Sequence, residues 1–355
     1  MKKFVVIMSV VTVILLAGCG NDNNESKGTI GISMPSLSLE RWERDGNNIA
    51  DNLQELGFET DLQFGQDDVQ TQISQIENMI TKGVDILIIA AIDGEALTEV
   101  AELANDQGIE IIAYDRLIMN TEHISYYVTF DNFLVGETQG RYIVDKLGLE
   151  DGEGPFNIEI FAGAPDDNNA NFFFDGAISV LQPYIDAGTI KVGSGQTEFN
   201  QVAIQAWATA TAQTRMDNLL SAHYTDDVVH AVLSPNDSIA MGIVSSLENI
   251  GYGTSDRPMP IITGQDADLA SVKSILEGGQ TQTVFKDTRR LAETAASMVV
   301  ALLEGEEVQV NNTDTYNNHV KVVPTYLVGI ESLDIENIKD VLIESGFYTE
   351  VDLGS

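Results

Sequence analysis

The chain has 355 residues, 43% of them hydrophobic, which is enough for two cored units and too apolar for a disordered chain. Lys and Arg number 18 against 55 Asp and Glu, a formal charge of −37. A surface that acidic repels nucleic acid and anionic lipid headgroups, and the single cysteine excludes an intramolecular disulfide.

At the N-terminus, Lys2 and Lys3 precede an almost wholly apolar run over residues 4–16, and Leu16-Ala17-Gly18-Cys19 follows. This is a secretory signal in outline, too short for an ordinary membrane span. Its last four residues resemble a bacterial lipobox. That resemblance implies cleavage after residue 18, lipidation of the Cys19 thiol, and a polar tether over 19–28. The expected location is the outer face of the bacterial cell membrane, held by the lipid alone. Cleavage removes Lys2 and Lys3 and no acid, so the mature chain is more acidic still.

Residues 29–34 predict a strand, and 41–56 a helix with Trp42, Ile49, Leu53 and Leu56 on one stripe. A strand over 59–64 follows, then a helix marked by Val69, Ile73, Ile76 and Ile80 and capped by Asp67 or Asp68. Residues 85–92 form a continuous apolar strand, as expected for one covered on both faces. After a helix over 94–107, the strand 109–113 closes on Tyr114, Asp115 and Arg116, and another strand spans 126–131. The alternation restarts with helix 133–147, strand 156–162, helix 169–184 and strand 191–196. Helix 202–221, strand 230–234, helix 238–250 and strand 260–264 continue it. Then come helix 269–277, strand 281–285, helix 288–303, strand 320–324 and a short helix over 335–343. Two βα runs define an α/β chain of two doubly wound, Rossmann-like lobes. Crossings near Asp131, Gln280 and Gln309 make a three-segment hinge. They divide the chain into a first lobe of 29–131 with 281–309 and a second of 132–280 with 310–355.

In open α/β sheets ligands sit beyond the carboxyl ends of the strands. Nearly every strand here ends on polar groups: Arg41 after the first, Asp115 with Arg116, Asp131, Asp167 with Asn169, Asn236, Gln265 with Asp266, and Lys286. Carboxylates, amides and cations suit the hydroxyls of a neutral polyol, because charge-assisted hydrogen bonds are the strong ones. Each has a plainer reading. Asp237 and Asp268 fit helix caps, Asp131 fits a structural role at a crossing, and Arg116 fits a surface ion pair as well as a ligand contact. Trp207 fits the core or the apolar face of a sugar ring, and Trp42, on a helix stripe, fits the core. Phe172, Phe173 and Phe174 cannot all face the core, which leaves one for the cleft or the hinge.

The chain resembles the xylose-binding and multiple-monosaccharide-binding branch of the periplasmic sugar-binding proteins that feed ABC importers. The resemblance rests on Glu40-Arg41-Trp42, Gln75-Ile76-Glu77-Asn78-Met79, Ala113-Tyr114-Asp115-Arg116, Phe130-Asp131-Asn132, Asp167-Asn168-Asn169-Ala170 and Gly264-Gln265-Asp266-Ala267, together with residues 317–324. It implies the type I periplasmic binding protein fold and a monosaccharide ligand, xylose or a related aldose. Position by position it implies Arg41, Asp115 and Arg116 as first-lobe contacts. Asp167, Asn169, Asn236 and Asp266 would act from the second lobe, Lys286 from the crossing strand, and Trp207 would stack on the ring. The implied partner is an ABC permease, with a chemoreceptor or sensor kinase as the alternative, and the protein is expected as a monomer.

Other classes fit less well. His123, His223, His230 and His319 show no metal-ligand spacing, and no nucleophile elbow or phosphate loop is present, so neither a metal, a cofactor nor catalysis is expected. A transcriptional regulator would need a basic DNA-binding segment where the export signal stands.

Overall fold

A computed structural model describes residues 26–354. The signal over 1–18, Cys19 and most of the tether lie outside the described residues.

Strand and helix alternate along the first half: β1 (Thr29–Met34), α1 (Glu40–Glu55), β2 (Glu59–Phe64), α2 (Val69–Lys82), β3 (Ile86–Ile89), α3 (Thr98–Asp106), β4 (Glu110–Tyr114) and β5 (Tyr126–Phe130). All four residues of β3 are isoleucine or leucine and all are buried, as a strand sandwiched between helices requires. Asp68 caps α2 by accepting from the Thr71 amide at 2.7 Å. The apolar stripe of α1, including Trp42, Ile49 and Leu53, packs on Ile30, Ile32 and Ile88.

The alternation then repeats with α4 (Asn132–Lys146), β6 (Phe156–Ile160), α5 (Asn168–Asp186), β7 (Ile190–Val192), α6 (Phe199–Val202), α7 (Thr209–His223), β8 (Ala231–Leu233), α8 (Asp237–Asn249), β9 (Ile261–Ile262), α9 (Leu269–Glu277) and β10 (Gln282–Phe285). The chain finishes with α10 (Thr288–Glu304), β11 (Thr325–Val328), β12 (Glu331–Asp334), α11 (Ile338–Glu344) and α12 (Glu350–Leu353). Helices α4 and α5 touch backbone to backbone. A Cβ on Gly136 would lie 1.9 Å from the Phe173 carbonyl oxygen, and one on Gly176 2.1 Å from that of Phe133.

The first sheet runs β11-β5-β4-β3-β1-β2 and the second β7-β6-β8-β9, all parallel. The antiparallel pair β10-β12 joins the second through a bridge between Gln265 and Val284. This is the type I periplasmic binding protein fold. Both sheets reverse their order, between β1 and β3 and between β6 and β8, and a crevice forms outside the strand ends at such points.

Several expectations are corrected. The chain leaves the first sheet after β5, returns between β10 and α10, and leaves again between β11 and β12. The second and third crossings therefore fall later than Gln280 and Gln309. Residues 281–285 pair with β12 in the second lobe, and β11 pairs with β5 in the first, so 310–355 do not all belong to the second lobe. The expected strand at 320–324 starts instead at Thr325. Proline has no amide hydrogen for the ladder, so pairing begins just after Pro324. The expected helix over 202–221 is broken, with Ala206 and Trp207 at φ of 52° and 55° between α6 and α7.

Candidate ligand-binding site

Arg41 lies in the first turn of α1 and is buried. Its Nε donates to Asp45 at 3.0 Å, its Nη2 to Asp115 at 2.8 Å and its Nη1 to Asp266 at 3.4 Å. Asp45 also accepts the Tyr114 hydroxyl. Burial holds the Asp45 carboxyl above its ordinary range, and Arg41 offsets this only in part.

Strand β4 ends on Tyr114, and the next residue, Asp115, takes a φ of 58°. The turn is tight, with the Arg116 amide 2.6 Å from the Tyr114 carbonyl. It sends two successive side chains into the cleft. Arg116 is anchored from behind, donating from Nη1 to the carbonyls of Ala91 (3.1 Å) and Ile92 (3.3 Å), while its Nε lies 3.0 Å from Asp167.

The second lobe supplies the facing wall. Asp167 caps α5, accepting from the Asn169 amide at 3.0 Å while it pairs with Arg116. Burial raises its carboxyl, and Arg116 pulls it part of the way back. The Asn169 side-chain amide crosses the cleft to donate to the Asp115 carbonyl at 2.6 Å. Asn236 caps α8 through the Ile239 amide at 3.1 Å. That corrects the capping expected of Asp237, which is buried and accepts from Gln280 and Thr283 instead. Asp268 makes no side-chain cap either. At Asp266, φ is 98° and the carboxylate meets Lys286 at 2.8 Å. Burial pushes the Asp266 carboxyl up, but Lys286 and then Arg41 outweigh it and hold it below the usual range.

Trp207 sits on the strained turn before α7, edge-on to Phe173 with ring centroids 6.2 Å apart. Its indole lies flat on the chain at Gly163, where a Cβ would come within 2.0 Å of the ring. Asp115, Trp207 and Asp266 are all non-glycine residues in the left-handed region, and such backbone strain clusters where a site demands one side-chain direction.

All nine residues singled out from the sequence line one cavity. Four more complete it: Leu39, Trp42, Phe173 and Gln265. Trp42 is core on one side and wall on the other, with the guanidinium carbons of Arg41 and Arg116 4.4 and 5.1 Å from its ring centroid. Of the phenylalanine block, Phe173 reaches the cavity, while Phe172 meets Tyr316 and Phe174 meets Phe199.

Three cations and three carboxylates line the cavity, each paired with the opposite sign. The wall therefore asks for no net charge in its ligand, only for groups that both give and accept hydrogen bonds. Among the described residues no group of three or more His, Cys, Asp or Glu is placed to hold a metal, and no helix is long and apolar enough to cross a membrane.

Fold and site together define a two-lobed binder of a small, neutral, polar molecule. The chain belongs to the periplasmic binding protein family, whose domain model matches residues 30–307. It is a binding protein and not an enzyme. It is similar to the multiple sugar-binding periplasmic receptor ChvE of Rhizobium radiobacter, 56% identical over 91% of either chain. It is 37% identical to the D-xylose-binding periplasmic protein of Escherichia coli K12, over 99% of this chain and 100% of that one. A solved ABC transporter solute-binding protein of Clostridium phytofermentans with bound β-D-glucose superposes with a TM-score of 0.88 at 48% identity, covering 92% of this chain and 99% of that one.

Proposed function

We propose that the chain is an extracytoplasmic solute-binding lipoprotein. It captures one monosaccharide, D-glucose, D-xylose or a related aldose, by lobe closure and delivers it to an ABC importer. The observation that carries this reading is the internally neutralised wall: its ions are spent on one another, leaving directed donors and acceptors for ring hydroxyls beside apolar aromatic faces. The sugars named for its relatives support the ligand class. Arg41, Asp115 and Arg116 grip from the first lobe, and Asp167, Asn169, Asn236 and Asp266 from the second. Lys286 reaches in from the crossing, and Trp207 lays its ring on the sugar's C–H face. Closure removes water from around these bonds and strengthens them. The Cys19 thiol carries the lipid, which holds the protein at the outer face of the cell membrane.

Calorimetry with D-glucose and D-xylose tests this. One sugar should bind per chain, and Asp115→Ala, which leaves Arg41 Nη2 without its acceptor, should cost about 1–3 kcal/mol of binding or more. A thermal-shift panel of pentoses and hexoses that raises no melting point would overturn the reading. Radiolabelled palmitate should enter the cell-bound protein and fail to enter Cys19→Ala.

A further inference from the structure

A second cluster ties the lobes together outside the cavity, and it is built on the C-terminal segment. Tyr348 is buried in the second lobe with Leu333, Ile338 and Leu342, and Phe347 lies edge-on to Phe285 with centroids 4.8 Å apart. Two first-lobe arginines reach across to this segment. The guanidinium carbons of Arg44 on α1 and Arg289 on α10 lie 4.6 and 5.1 Å from the Phe347 centroid. Arg289 Nη1 donates to the Ser345 carbonyl at 3.0 Å. Arg44 Nη1 donates to the Tyr348 hydroxyl at 3.0 Å, and that hydroxyl donates to the Ala267 carbonyl at 3.0 Å. Arg44 Nη2 stands 3.7 Å from Asp268 Oδ1, and both atoms are buried without a hydrogen bond inside the protein.

The placement matters because Arg44 lies one helical turn beyond Arg41, and Ala267 and Asp268 directly follow Asp266. The clasp holds the same two backbone segments that carry the Arg41–Asp266 pair, yet none of its side chains lines the cavity. Arg289 follows the crossing from β10 by a few residues. Arg44, on α1, lies far along the chain from any crossing, so opening of the lobes would part it from Tyr348. The gap to Asp268 becomes a hydrogen bond on a further approach of about 1 Å.

We infer that Arg44 and Tyr348 are positioning residues for ligand capture: the clasp they form with Phe347 sets the open–closed balance of the lobes, and with it the affinity for every sugar, without touching any of them. Apparent affinity scales with the fraction of protein in the competent state, so a group that shifts that fraction multiplies all affinities alike. The inference takes its ligand from the sugar-binding reading, but the balance it describes exists without one.

The test compares Arg44→Ala and Tyr348→Phe with the parent protein. It uses calorimetry with D-glucose and D-xylose, small-angle scattering of the ligand-free protein, and thermal melting. Arg44→Ala should weaken both sugars by about tenfold and by the same factor, and should enlarge the ligand-free particle; Tyr348→Phe, which loses one hydroxyl, should weaken both by about threefold. A lower melting point with scattering and affinities unchanged would make the cluster merely structural and overturn the inference. A change in the ratio between the two sugars would also overturn it, since that places the effect on the cavity wall. If Arg44→Ala does not fold, Tyr348→Phe decides. If the parent binds neither sugar, the functional reading fails, and ligand-free scattering alone decides the clasp.

Discussion

The two lobes make their halves of the cavity by different means. In the first, Arg41, Asp115 and Arg116 cap no helix, and buried partners such as Asp45 and the Ala91 carbonyl hold them in place. In the second, Asp167 and Asn236 cap α5 and α8 while facing the cavity, and Asp266 neutralises two cations from a strained backbone position. On the proposed function the first wall would serve contact, whereas the second carries fold and contact in the same atoms. A change in the first should cost binding more than stability, and a change in the second should cost both.

The largest test of that contrast is Asp266→Ala, which leaves Lys286 and Arg41 short of a buried partner. Urea unfolding should show a loss of about 3–5 kcal/mol of stability, along with binding. A variant that loses sugar but unfolds like the parent would break the contrast. Next is Gly163→Ala, whose methyl would occupy the Trp207 ring position. Overpacking of this kind costs about 1–3 kcal/mol, and tryptophan fluorescence should report a displaced indole with sugar binding lost. A smaller and sharper test pairs Asn236→Ala with Asn236→Ser. Alanine should lower stability by about 1 kcal/mol and serine should restore the cap. Both should weaken the sugar in calorimetry, separating the two duties of one residue.

The smallest effect concerns pH. Burial, then the charges of Asp266 and Glu40, raise the Asp268 carboxyl to about 7. Its folded value lies above its unfolded one, so its contribution is fully present below about pH 4 and is lost as pH rises through about 7. Urea midpoints should fall across that window, and Asp268→Asn should flatten the slope.

Much of this was legible because charge after a buried strand has few places to go. The alternation placed the strand ends, and the strand ends hold eight of the nine residues singled out; the ninth, Trp207, stood out as a lone aromatic in a small-residue stretch and by the family resemblance. What escaped depended on information no local pattern holds. Asn236 and Asp237 are adjacent, and which of them caps α8 turns on where the first helical turn begins. Trp42 lies on an apolar stripe and so reads as core, but a bulky side chain at a lobe surface can be core and wall together. The alanine-rich stretch before α7 has helical propensity, overridden where the Trp207 ring must lie flat on Gly163. Strand β11 was hidden by the proline just before it, and with it the true course of the last crossing.

Lys286 stands where β10 hands the chain over to α10, on one of the three connections between the halves. Its ammonium is buried and salt-bridged to Asp266. A guest that reorients this one group applies torque at the pivot itself. On the proposed function, sugar occupancy and lobe rotation meet at this side chain.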